Sequence, residues 1–139
     1  MSFSISIMKD PSGGWDATQG DHHLDFDFDG IDFDELINLL NIKLPPAKRL
    51  EGESSYDYDE RLKKEYFDAA KEKGYEMLGR FWFFYDDAVY LPSDVNQLSD
   101  ECLKLKEKTQ NPGALKALNK LITACNEALK TDSGIFFRV

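Results

Sequence analysis

Apolar and polar residues alternate over Ser2–Met8, with Phe3, Ile5 and Ile7 set against Ser4 and Ser6. A period of two predicts a β-strand with one buried face. The alternation returns over residues 24–29, where Leu24, Phe26 and Phe28 are set against Asp25, Asp27 and Asp29. This predicts a second strand with an outer face lined by carboxylates. Between the two lies a loop over residues 10–20, marked by Pro11, Gly13, Gly14 and Gly20, with Trp15 inside it. Gly30 ends the second strand. A helix is expected from Asp32, a good N-cap with Glu35 placed for a capping box and Ile31 with Leu36 placed for a hydrophobic staple. Leu36, Ile37, Leu39 and Leu40 form its apolar stripe, and Pro45-Pro46 stop it.

After a polar loop over 47–55, Asp57 and Glu60 repeat the capping logic and open a second helix to about Lys73. Leu62, Tyr66, Phe67 and Ala70 line its core face, Lys71 and Lys73 complement its dipole, and Gly74 follows as the C′ residue. Residues 75–91 satisfy two patterns. Leu78, Trp82, Tyr85 and Val89 fit helical spacing, whereas the run 81–85 suits a buried strand with Asp86-Asp87 as a turn; the helical reading, through about Tyr85, is taken first. Pro92-Ser93 introduces a third helix with Val95, Leu98, Cys102 and Leu105 on one face. Asn111-Pro112 is an N-cap followed by proline at the first helical position. Leu115, Leu118, Leu121, Ile122, Cys125 and Leu129 then share a face of a fourth helix, which 132–134 ends before a terminal strand over 135–139.

Strands first, helices next and a strand last is a segregated order, which predicts an α+β fold. The expected architecture is one domain over residues 1–139, a small, mostly antiparallel sheet of the N-terminal strands plus the C-terminal strand packed against about four helices. The first and last strands are expected to pair, each needing a neighbour for its backbone groups.

Charge changes the picture. The net charge is −9, and residues 1–60 hold 14 acidic against 4 basic residues while the remainder holds 12 against 13. Such a field repels nucleic acid and anionic membranes and attracts a basic partner or a cation. The bias peaks over residues 21–35, DHHLDFDFDGIDFDE, with seven acidic residues, two histidines and no Lys or Arg. No apolar run is long enough for a transmembrane helix, and the first residues lack the pattern of a secretory signal, so a cytoplasmic setting is expected. Cys102 and Cys125 have neither metal spacing nor a dense disulfide pattern, and are expected to be reduced core thiols.

Asp25-Phe-Asp27-Phe-Asp29-Gly30 matches the first half of a calcium loop, but Leu36 stands where the bidentate glutamate belongs and no helix precedes it. A divalent-cation-binding module on segment 21–35 is the alternative reading. His22 and His23 alternate across a strand and lack a third histidine, so no metal ligands are assigned. No nucleophile elbow or phosphate loop is present, and no catalytic residue or cofactor is assigned. The leading expectation is a non-enzymatic protein-interaction module. Asp25, Asp27, Asp29, Asp32 and Asp34 would form its acidic binding face, with Trp15 and Trp82 as aromatic anchors. In composition, though in no motif, it is similar to small acidic inhibitors of basic toxins, bacterial immunity proteins among them.

Overall fold

The computed structural model describes residues 2–8, 22–42, 48–81 and 88–138. The fold is α+β. Strands β1 (Ser2–Met8) and β2 (His22–Asp29) are followed by helices α1 (Gly30–Leu40) and α2 (Ser55–Glu72), strand β3 (Ala88–Tyr90), helices α3 (Val95–Lys108) and α4 (Pro112–Lys130), and strand β4 (Gly134–Arg138). The sheet is antiparallel, in the order β2-β1-β4-β3. The first and last of these strands are therefore inner neighbours, with Ser4 opposite Arg138 and Ile7 opposite Ile135. Of the expected terminal strand, Val139 lies outside the described residues.

One sheet face meets the helices. Ile5 and Ile7 of β1, Ile135 and Phe137 of β4, and Ala88 and Tyr90 of β3 share it through the strand register, and all are buried in the core. Leu36 and Leu40 of α1, Leu98, Cys102 and Leu105 of α3, and Leu118, Leu121 and Cys125 of α4 complete that core. The opposite face corrects the expectation of a single buried side: Ser6, Met8 and Phe136 are also buried. The reason is visible in β4, where three consecutive apolar residues, Ile135 to Phe137, place large side chains on both sides of an inner strand.

The helices begin and end at local signals. α2 starts three residues before the expected cap at Asp57: Ser54 is the N-cap, its hydroxyl accepting from Asp57 N–H. Gly74, at φ +90°, ends it in a Schellman turn in which Gly74 N–H donates to Lys71 O and Tyr75 N–H to Ala70 O. α1 begins at Gly30 rather than at an Asp32 cap and ends at Leu40, where Asn41 takes φ 50° well before the prolines. Its last carbonyls, those of Leu40 and Asn41, accept from the Lys73 ammonium. The expected staple is not formed at its apolar end, since Ile31 is largely exposed while Leu36 is buried. In α4 the Asn111 cap is as expected, accepting from Ala114 N–H. The buried face is rotated toward Ala114, Ala117, Ala124 and Ala128, leaving Leu129 41% exposed. Small side chains let α4 pack closely against α1, α3 and the sheet at once, so the leucines alone did not mark its centre.

Residues 75–81 correct the helical reading where they are described. A turn leads into one 3-10 turn, Leu78–Phe81, and β3 follows at Ala88–Tyr90. Residues 82–87, Trp82 among them, lie outside the described residues.

Candidate functional site

The acid-rich segment is split between two elements. Asp25, Asp27 and Asp29 stand at alternate positions of β2, opposite Ser6, Ser4 and Ser2 of β1. Paired, extended backbone runs through all three, whereas a calcium loop must wrap its alternate carboxylates around one ion. The strand-and-helix reading of this motif is therefore the one the backbone follows. Asp34 is exposed on α1. Asp32 is half-buried, because it turns toward the start of α4: a methyl group placed on Gly113 would sit 3.2 Å from Asp32 Oδ1 and 3.2 Å from Glu35 Cγ. Asn111 completes this contact, its Nδ2 donating to Glu35 Oε2 at 2.7 Å while its Oδ1 caps α4. Carboxylates beside a helix N-terminus are stabilised by its partial positive charge. Glu35 thus ties α1 to α4 through Asn111, with Asp32 beside the same helix start, whereas Asp34 is exposed. Trp15 lies outside the described residues.

Two glutamates that sequence reasoning did not single out hold irregular backbone. Glu101, 6% exposed, accepts from Met77 N–H at 2.9 Å, Leu78 N–H at 3.1 Å and Gln97 Nε2 at 3.1 Å. Burial pushes its carboxyl above the usual range, against the pull of those three hydrogen bonds. Tyr90 helps from the sheet, its hydroxyl donating to Met77 O; burial raises this phenol well above its ordinary value. The signal for Glu101 was readable: it stands between Leu98 and Leu105 on the buried stripe of α3, where a charge needs partners.

Glu53 is the second. Its carboxylate takes a two-pronged ion pair from Arg61, Nε to Oε2 and Nη2 to Oε1, both at 3.0 Å, and also accepts from Leu50 N–H at 3.0 Å. Arg61 Nη2 donates further to Lys48 O, and Arg49 donates to Glu53 O and to Ser55 Oγ. The Arg61 guanidinium holds the Glu53 carboxyl below its usual range. A pairing between the last loop residue before the N-cap and the second turn of α2 carries no periodic signal, so this pair was not legible beforehand.

An open cleft of about 390 Å³ lies between α2 and β3, lined by Lys63, Phe67, Lys71, Glu76, Arg80 and Val89 among others. Arg80 is committed to structure: it donates to Val89 O at 2.9 Å and to Asp94 Oδ2 at 3.2 Å, which occupies the outward carbonyl of the edge strand β3. Cys102 and Cys125 are free and fully buried, as expected of core thiols. Burial raises both thiols, Cys125 to about 12, far from a reactive thiolate at neutral pH. Among the described residues, no cluster of three or more metal-ligating side chains occurs, and no helix is long and apolar enough to cross a membrane. No family model, curated protein or solved structure matches the chain.

Proposed function

We propose that the protein is a non-enzymatic interaction module whose acid-rich N-terminal part meets a basic protein, in the manner of an immunity-type inhibitor working in the cytoplasm. The observation that carries this reading is the charge asymmetry, 14 acidic against 4 basic residues in 1–60 and near neutrality beyond. Asp25, Asp27 and Asp29 at alternate positions of a strand, followed at once by the exposed Asp34 on α1, concentrate that charge on adjoining elements. Trp15 and Trp82 are the aromatic anchors the reading assigns. A field of this kind accelerates encounter with a basic surface and weakens as salt rises.

The test is capture of partners in the native host by cross-linking, followed by association kinetics with the captured protein. The double variant Asp25→Asn, Asp27→Asn is expected to keep its fold, associate more slowly and show a flatter salt dependence. An acidic partner, or a rate indifferent both to salt and to the double variant, would count against the reading.

A further inference from the structure

The loop before α2 is held more tightly than its packing requires. Lys48 to Gly52 are all exposed and add nothing to the core, yet Glu53, Arg61 and Arg49 fix this stretch through the ion pair and hydrogen bonds described above. Leu50 and Glu53 close a turn, Glu53 N–H donating to Leu50 O at 3.0 Å, with Gly52 at φ +79° inside it. On this frame stand two large apolar side chains in water, Leu50, 60% exposed, and Tyr56, 71% exposed. Glu51, Asp57, Asp59 and Glu60, close to them in sequence, are exposed as well. An exposed leucine and tyrosine on pre-ordered backbone lose little entropy on contact, and aromatic anchors with a charged rim are the usual energetic centre of an interface.

We infer that the loop at 48–54 together with the first turn of α2 is a preorganised docking surface for a protein whose contact region is basic and carries an apolar pocket. Leu50 and Tyr56 enter that pocket, and Glu51, Asp57, Asp59 and Glu60 meet the partner's lysines and arginines around it. The inference rests on the basic-partner reading above and adds where the contact is anchored. The choice of a basic occupant follows from charge complementarity, since the four exposed carboxylates outnumber the exposed Lys48 and Arg49 beside them and would repel an acidic one.

The test uses phage-displayed random peptides panned against the full chain, with the enriched peptides then titrated against variants. Peptides carrying Lys or Arg around an apolar residue are expected. Leu50→Ser with Tyr56→Ser should weaken them about tenfold or more without moving the melting transition, because both side chains are solvent-exposed. Arg61→Ala, which leaves both anchors in place but frees the loop, should weaken them several-fold through lost preorganisation. Basic peptides that ignore Leu50→Ser/Tyr56→Ser but are lost in Asp25→Asn/Asp27→Asn would overturn the docking loop and leave the basic-partner reading standing. Enriched peptides without basic residues would overturn that reading and the inference with it, and a panning with no enrichment would overturn the docking loop.

Discussion

The loop at 48–54 and the turn at 75–81 are both irregular, and each is organised by one glutamate accepting backbone N–H groups. Their surroundings are opposite. Glu53 faces a guanidinium at the surface, and its carboxyl is held low. Glu101 is buried, its donors among the described residues are neutral, and its carboxyl is raised. The same side chain therefore does two kinds of work. At the surface it orders a segment that the core does not need; in the interior it satisfies peptide groups that would otherwise be stranded.

The strongest way to break this contrast is Glu101→Ala. It strands Met77 N–H and Leu78 N–H in a dry site and is expected to destabilise the fold by about 2–4 kcal/mol, read by chemical denaturation. Glu101→Gln, which still accepts through its carbonyl, should cost much less; equal losses in the two variants would show that the backbone hydrogen bonds are not what matters. Next in size is Tyr90→Phe, which removes only the hydroxyl donor to Met77 O and should cost about 1–2 kcal/mol at equilibrium.

A pH series sharpens the contrast further, because the two signs differ. Glu101 titrates above the ordinary glutamate value of 4.5 in the folded state, so folding favours its protonated form. Its contribution is fully present below 4.5 and is lost as pH rises through the raised value. Wild type should therefore lose stability relative to Glu101→Gln over that interval. Glu53 titrates below 4.5, so its contribution is present above 4.5 and lost as pH falls through the lowered value. Wild type should lose its advantage over Glu53→Gln on acidification, by a small amount that salt reduces further. Two difference curves of the same sign would dissolve the distinction. The smallest global effect belongs to Arg61→Ala, which should leave the unfolding midpoint nearly unchanged while hydrogen exchange quickens at the Leu50 and Glu53 amides, both bonded within the loop.

Much of the architecture was legible because it is written in periodicity. Ile5 and Ile7, Leu36 and Leu40, Val95 with Leu98, Cys102 and Leu105, and the Asn111 cap all stand where their spacing put them. What escaped was non-local. The edge strand Ala88–Tyr90 is only three residues long, too short for a period to register, and exists because β4 is there to pair with it. The second buried face of the sheet depends on Phe136, which the alternation of β1 does not reveal. The acidic segment was legible as composition, but Asp32 and Glu35 are drawn to the N-terminus of α4, and that demand comes from Asn111 and Gly113, far away in sequence. Glu101 could have been found as a charge on an apolar stripe. Glu53 and Arg61 could not, because a salt bridge from a loop residue into the helix that follows obeys no repeat.

The central place of β1 and β4 sets the order in which the molecule can be assembled. Ser4 pairs with Arg138, so nearly the whole chain must be made before the inner pair of the sheet can close. Until then, among the described strands, β1 has only β2 beside it, and β3, which pairs with β4, has no partner. Contacts spanning so much sequence cost loop entropy before they return any energy, which makes sheet formation late and slow. During synthesis, helices α1 to α4 would gather around an unfinished sheet until β4 emerged to complete it by sliding between β1 and β3. Deleting β4 would thus remove the middle of the sheet and leave its two sides without a join.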